Sequence, residues 1–233
     1  MRLYIIRHAD PDYANNTLTP AGHLEAQALA RRLASHGLDY LYCSPLERAR
    51  LTARYTADLL KIEPAVEEWT QEIPDWRVEL AEWGPMPKWD LPAEVLRAQP
   101  YPTHETWHEM PFWDAASTRA CFDALVAASD QFLARHGYVR EGRLYRCARP
   151  NRAQVAVFCH QGFGVTWLAH LLDIPPPVMW SAFYLAPSSV TTVLFEERSA
   201  QWAAPRCLAV GDVSHLYEAR LPVQPRGLRG NLT

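Results

Sequence analysis

Lysine is almost missing. Lys61 and Lys88 are the only two in a chain of 233 residues, and every other side-chain cation bar the histidines is an arginine. That imbalance carries no functional weight alone. With a net charge near −3, however, there is no basic stripe of the kind nucleic acids require, so no nucleic-acid partner is expected. Long apolar runs are missing too. No stretch reaches the 18 or so residues a membrane helix needs, so no membrane partner is expected. The chain opens on a strand, without a basic segment followed by a long apolar one, so a secretory leader is not expected. Cys43, Cys121, Cys147, Cys159 and Cys207 are odd in number and show no CxxC spacing. They read as reduced, mostly buried thiols of a cytoplasmic protein. No internal repeat is visible.

What is present is a core and a rhythm. Apolar residues make up 48% of the chain, enough for one sizeable domain. Leu3 to Ile6 is a short apolar run, as in a buried central strand. Thr19 and Pro20 open a helix as N-cap and first residue, and Gly37 ends it. Leu38 to Cys43 reads as a second strand. Ser44, Pro45 and Glu47 form a capping-box pattern for the helix that follows. Ser117 to His136 reads as an amphipathic helix, Gln154 to Cys159 as a strand and Val165 to Leu172 as a helix. Val190 to Phe195 and Cys207 to Val210 look like later strands. The tail after Tyr217, rich in Pro, Gly and Arg, is expected to be loosely held.

Residues 61 to 116 break this rhythm. Pro64, Pro74, Pro85, Pro87, Pro92, Pro100, Pro102 and Pro111 fall there with Trp69, Trp76, Trp83, Trp89, Trp107 and Trp113. Asp75 to Trp83 could hold a short helix. The tryptophan content argues for burial against something, so about 73–116 reads as an inserted lid and not as a disordered linker. The expected fold is a single domain over 1–233: a three-layer α/β/α sandwich around a mainly parallel sheet, with that lid.

Chemistry-bearing residues sit at three strand ends. Arg7-His8 follows the first strand, Ser44 to Arg48 the second, and His160-Gln161-Gly162 the strand at 154–159. Ligands of open α/β sheets bind outside the carboxyl ends of strands. If these strands are neighbours, two arginines and two histidines converge. Such a set suits a phosphoryl group. Guanidinium forks match its oxygens and stay charged, and Arg48 lies in a helix first turn, where an anion is favoured. A neutral histidine can attack phosphorus, while the second histidine and the arginines stabilise charge on the oxygens in flight. Taken alone, Arg7-His8 is an ordinary strand end, Arg48 a solvated residue pairing with Glu47 or Asp39, and His160 a core histidine. Their combination reverses those readings.

The residues resemble the histidine phosphatases, the phosphoglycerate mutase-like superfamily (branch 1). The matching stretches are RHA at 7–9, LTPAG at 18–22, CSPLERARLTA at 43–53, FCHQG at 158–162 and GDVSHL at 211–216, in the family's order and across almost the whole chain. The resemblance implies a phosphoric monoester hydrolase in which His8 is the phosphorylated nucleophile and Arg7, Arg48 and His160 hold the phosphoryl group. It implies no metal and no cofactor. Three departures stand out. Ala9 replaces a glycine. The family's asparagine would fall on Ala14, with Asn15 as the substitute. Glu25 stands where glutamine is usual. Asn15 and Gln161 complete the expected phosphate-binding set. The general acid, by the family's context, is best matched by Glu72. Asp75, Glu79 and Glu82 are rivals, as are Asp10 and Asp12 in an unusual member.

Other segments invite other readings. HETWH at 104–108 fits the helical H-E-x-x-H zinc motif, which would make a zinc hydrolase. Prolines 100, 102 and 111 leave little room for the helix, so a place for His104, Glu105 or His108 near the pocket mouth is the preferred reading. Trp69, Trp76 and Trp83, spaced by seven, read as lid packing, with an aromatic wall for an apolar or sugar-bearing substrate as the sharper alternative. His215 reads as an imidazole tying down the C-terminal segment. The expected activity is hydrolysis of a small phosphorylated metabolite. A phosphomutase of the phosphoglycerate mutase type and a non-catalytic phosphate binder are the alternatives, and a homodimer is left open.

Overall fold

The computed structural model describes residues 1–73 and 76–228. Strand β1 (Arg2–Arg7) runs into a small ribbon, β2 (Pro11–Asp12) and β3 (Thr17–Leu18), then helix α1 (Pro20–His36), strand β4 (Tyr40–Cys43), helix α2 (Glu47–Leu60) and strand β5 (Ala65–Val66). A hairpin of β6 (Arg77–Leu80) and β7 (Gly84–Pro87) and a short helix α3 (Ala93–Arg97) precede the long helix α4 (Ala115–Arg135). A second hairpin, β8 (Tyr138–Glu141) and β9 (Leu144–Cys147), leads to β10 (Gln154–Cys159), α5 (Gln161–Leu172) and α6 (Pro176–Ala182). The chain closes with β11 (Val190–Glu196), β12 (Trp202–Asp212) and α7 (Ser214–Glu218).

The eight-stranded sheet has the order β5-β4-β10-β1-β11-β12-β9-β8. It is mixed, not mainly parallel as expected. β5, β4, β10 and β1 are parallel, and every pairing from β1 through β11, β12 and β9 to β8 is antiparallel. The strands that close the sheet on that side return by hairpin-like turns, which need no crossover helix. The parallel half is the half that matters: it sets the ends of β1, β4 and β10 side by side.

Helices cover both faces, and the period-2 alternation of the strands sorts the core. Tyr4, Ile6, Ala156 and Phe158 point to one side, where Leu29 and Leu33 of α1 and Ala53 and Ala57 of α2 meet them. Leu3, Ile5, Val155 and Val157 point to the other, against Phe132 and Leu133 of α4 and Phe163 and Trp167 of α5. Thr19 caps α1 by accepting from Gly22 N, and Gly37 ends it in the left-handed region, as the punctuation predicts. Gly22 presses on the loop after β1: a Cβ there would stand 2.2 Å from Asp10 O. Gly22→Ala is expected to destabilise the fold by about 1–3 kcal/mol through overpacking. The readout is a lower urea midpoint at unchanged slope. An unchanged midpoint would mean that the loop yields freely.

Other expectations are corrected. The short helix proposed from Asp75 to Trp83 is instead the β6–β7 hairpin, turned at Gly84 with φ +69°; Asp75 itself lies outside the described residues. Helix α5 begins at Gln161, four residues before the expected Val165. Gly162 and Gly164 lower the local propensity, but tertiary packing needs them, since a Cβ on Gly164 would lie 2.8 Å from Leu185. Ser44 does not cap α2, whose N-cap is Leu46 with no side-chain bond. HETWH lies in turns, so no helix presents its two histidines one turn apart. Trp69 packs on Phe163 and Trp167, Trp76 is buried beside Trp107 and Trp180, and Trp83 is exposed. The tail is not loose in its described part. Leu221 N donates to Leu216 O (2.9 Å), and Arg226 pairs with buried Asp10. Its composition gave no hint of that partner, which lies 216 residues away in sequence. His215 does tie the chain down, between Ser188 Oγ (3.2 Å) and Arg32 (3.4 Å). Among the described residues no helix is long and apolar enough to cross a membrane.

Candidate active site

The chain leaves β1 at Arg7 and is held there from across the molecule. His8 N donates to Cys159 O (2.9 Å) at the end of β10, and Ser188 N donates to His8 O (3.0 Å). Ala9 N donates to Thr52 Oγ1 (3.0 Å), whose hydroxyl donates to Arg48 O (2.7 Å) one turn back along α2. One threonine thus ties the segment carrying His8 to the helix carrying Arg48. Ala9 is not among the residues with positive φ, so alanine there brings no backbone strain.

His8 is 2% exposed. Its Nδ1 lies 2.8 Å from Ala9 O, which can only accept, so Nδ1 carries the proton and Nε2 keeps its lone pair. Arg48 Nε donates to that Nε2 at 3.1 Å. Burial, then the nearby charges of Arg7 and Arg48, hold the imidazole well below its usual range, so it is neutral at neutral pH. His160 stands behind it, fully buried, with ring centroids 5.1 Å apart. Its Nε2 meets Ser44 Oγ at 2.8 Å, and burial with the His8 ring beside it likewise keeps it neutral. Ser44, at the end of β4, is therefore engaged with the second histidine and not with a cap. Arg7, also buried, donates through Nη1 to Leu185 O (2.6 Å) and through Nη2 to Arg226 O (3.1 Å). Two buried polar atoms here, Arg7 Nε and His160 Nδ1, have no partner among the described residues.

Glu72 reaches the same place from outside the strand ends. Its Oε1 accepts from Phe163 N (2.8 Å) and its Oε2 from Gly162 N (3.2 Å). It caps the first turn of α5 from 90 residues away, the service the sequence around His160 does not supply. The residue is only half-buried, but its carboxyl end lies deep. Burial pushes the carboxyl above its usual range, against the opposing pull of those two N–H groups, Arg7 and Arg48. Trp89 lies on the same helix end. A Cβ on Gly162 would come 2.2 Å from the indole, so this position must be glycine while Trp89 stays.

Arg7, His8, Arg48, Glu72 and Gln161 line one cavity of about 490 Å³. Tyr13, Arg77, Trp89, Asp90 and Gly227 are also among its lining residues; none of these was singled out as a site residue from sequence. Tyr13 lies under the Arg48 guanidinium at 5.5 Å, a signal readable only in three dimensions. A second cavity of about 300 Å³ shares Arg7, Trp89, Asp90, Gln161 and Gly227 and adds Trp180, Phe183 and Tyr184. Trp89 thus lines both cavities and Trp180 the second, while Trp69, Trp76 and Trp83 line neither.

The remaining candidates separate. Gln161 Oε1 accepts from Leu185 N (2.8 Å), which leaves its amide donors for the cavity. Asn15 does not line it. Asn15 sits on an exposed turn whose N and Nδ2 both donate to Asp12 (3.1 and 2.8 Å), so the turn satisfies itself. Asp12 is occupied in the same way. Asp10 is buried and held by Thr19 Oγ1 (2.8 Å) and Arg226. Glu79 and Glu82 are exposed and line neither cavity. His104, Glu105 and His108 are not at this mouth. His104 faces Asp173 (3.6 Å) in another cleft. Glu25, the stand-in for glutamine, is buried, accepts from Asp10 N (2.9 Å), and is pushed up by burial to about 7.

The family model of the histidine phosphatase superfamily (branch 1) matches residues 3–207. A curated relative, "Putative phosphoserine phosphatase 2" of Hydrogenobacter thermophilus, is 35% identical over 81 residues, which are 31% of this chain and 40% of that protein. Among solved structures, a mutant phosphoserine phosphatase of Entamoeba histolytica in complex with phosphoserine superposes with a TM-score of 0.61 at 20% identity, over 92% of this chain and 98% of that one. A mycobacterial glucosyl-3-phosphoglycerate phosphatase in complex with VO3 gives 0.56 at 22%, over 90% and 97%. At these identities the structural likeness is one of fold.

Proposed function

Since this chain belongs to the histidine phosphatase superfamily (branch 1), we propose that it hydrolyses a small phosphomonoester through a phosphohistidine formed on His8. The observation that carries the reading is the unprotonated Nε2 of His8 at a cavity that Arg48 and Arg7 also line, Arg7 with an Nε that has no partner among the described residues. Buried polar atoms without partners are rare, and a phosphoryl group supplies the oxygens they lack.

In this reading His8 Nε2 attacks phosphorus, and the bond from phosphorus to the alcohol oxygen breaks. The proton that oxygen needs comes from Glu72, whose raised carboxyl makes it a competent acid. A water then attacks the phosphohistidine and gives its proton to the Glu72 carboxylate. The P–N bond breaks back onto Nε2, and inorganic phosphate leaves. Arg48 Nε, bonded to Nε2 in the free site, turns to a phosphoryl oxygen once phosphorus takes the lone pair. Arg7, Arg48, His160 and the Gln161 amide hold the equatorial oxygens. These groups supply the positive charge and donors that transfer requires, so the reaction as proposed needs no metal. The domain is single, and its insertion at about 73–116 serves as the lid through Arg77, Trp89 and Asp90.

The test is a screen of phosphorylated metabolites in the presence of chelator and without any bisphosphate primer. Release of inorganic phosphate from at least one of them is expected. A requirement for primer would make the chain a mutase. Inactivation by chelator would favour a metal-dependent hydrolase. No release from any compound, with orthophosphate still bound, would make it a phosphate binder.

A further inference from the structure

The C-terminal segment is built into the phosphoryl site. Arg226 reaches back to the loop after β1, where its Nε lies 2.9 Å from Asp10 Oδ1 and its Nη2 3.2 Å from Asp10 Oδ2. Asp10 is 4% exposed, so the pair is partly shielded from water and its fork geometry is well defined. The main chain of the same residue does something else. Arg226 O accepts from Arg7 Nη2 (3.1 Å) and from Tyr184 Oη (2.8 Å), and Tyr184 lies under the Arg7 guanidinium at 5.6 Å. The next residue, Gly227, has φ +91°, and even a Cβ there would lie only 4.0 Å from Arg7 Nη2. Gly227 belongs to the walls of both cavities.

These contacts form one chain of cause. Asp10, two residues after His8, holds the Arg226 side chain. The Arg226 carbonyl, with Leu185 O on the other nitrogen, sets the plane of Arg7 and leaves Arg7 Nε free. We propose that Arg226 is a positioning residue for the phosphoryl clamp: its ion pair with Asp10 latches residues 226–228 over the site so that its own carbonyl fixes the Arg7 guanidinium and Gly227 closes the rim. The proposal rests on the phosphohistidine reading for its kinetic consequence, but the anion-binding consequence stands without it.

The experiment compares the wild type with Arg226→Ala, Arg226→Lys, Asp10→Asn and the Arg226→Ala/Asp10→Asn double variant. It measures phosphate release, orthophosphate affinity by calorimetry, and thermal unfolding. Arg226→Ala and Asp10→Asn are each expected to weaken orthophosphate binding and lower kcat/KM about tenfold or more, since small displacements of a clamp are amplified in rate. The unfolding temperature should change little in Arg226→Ala, because the segment is peripheral to the core. Arg226→Lys should recover part of the loss, having the charge without the fork. The double variant should be no worse than the more severe single one, because both break the same pair. Unchanged phosphate affinity in Arg226→Ala, losses that add in the double variant, or no gain from lysine over alanine would overturn the latch. If the wild type binds orthophosphate but releases none from any ester, the phosphatase reading fails while the affinity comparison still decides the latch.

Discussion

His8→Ala is expected to abolish phosphate release, with kcat falling by about ten-thousand-fold or more, the order seen when a covalent nucleophile is removed. The fold should survive. Among the described residues the imidazole bonds to Ala9 O and Arg48 Nε, so its loss removes two hydrogen bonds at the cavity and none within the sheet or its helices. Orthophosphate should still bind, because Arg7, Arg48 and His160 remain. The decisive measurement is chemical. A brief pulse of labelled substrate, quenched in alkali, should leave label on the wild-type protein as an acid-labile, alkali-stable adduct, and none on the variant. Activity in His8→Ala within tenfold of wild type, or label that persists on it, would end the proposal. The nucleophile's neutrality also sets the acid side of the pH profile. Burial lowers the His8 pKa well below 6.5, so Nε2 stays unprotonated and activity persists into mildly acidic solution.

Glu72→Gln is the second large effect, and it should depend on the leaving group. For an alkyl phosphate the departing alkoxide must be protonated, and losing the acid is expected to lower kcat by about 10²–10⁴-fold. For an aryl phosphate that leaves as a stable phenolate the loss should be far smaller. That contrast separates an acid role from a structural one, which matters because Glu72 also caps α5 through Gly162 and Phe163. The pH profile supplies a second signature. Burial raises the carboxyl pKa above 4.5, so the acid form extends to higher pH, and the alkyl-ester rate of the wild type should fall as pH rises through that folded-state value. The variant should lose this alkaline limb. Equal losses for alkyl and aryl esters, with the limb intact, would move the acid role elsewhere. Asp90, the other carboxylate in the cavity wall, is the next residue to test.

How much of the site could be read in the chain depends on distance along it. The convergence of Arg7, His8, Arg48 and His160 was legible because each sits where a strand ends and a turn or helix begins, a local event with local signals. The cap from Thr19 to Gly22 N is of the same kind, and so is the Thr52 to Arg48 bond within α2. Asn15 stands apart from the cavity because position within a motif does not say which way a turn closes, and this one closes on Asp12. Ser44 carried two meanings, and the burial of His160 chose between them.

The sequence by itself determined the alternation of strands and helices, the placing of two arginines and two histidines at strand ends, and the membership those stretches announce. Apolar periodicity and caps act within a few residues, so they survive in a linear reading. Only the tertiary structure decided that the sheet is half antiparallel, that Trp89 lines both cavities while Trp69, Trp76 and Trp83 line neither, and that Glu72 caps α5. It alone decided that Arg226 returns to Asp10. Each of those rests on groups 90 or more residues apart, or on which of several equivalent side chains finds a cavity. Such choices are made by burial and hydrogen-bond satisfaction in the closed molecule, where no local pattern records them.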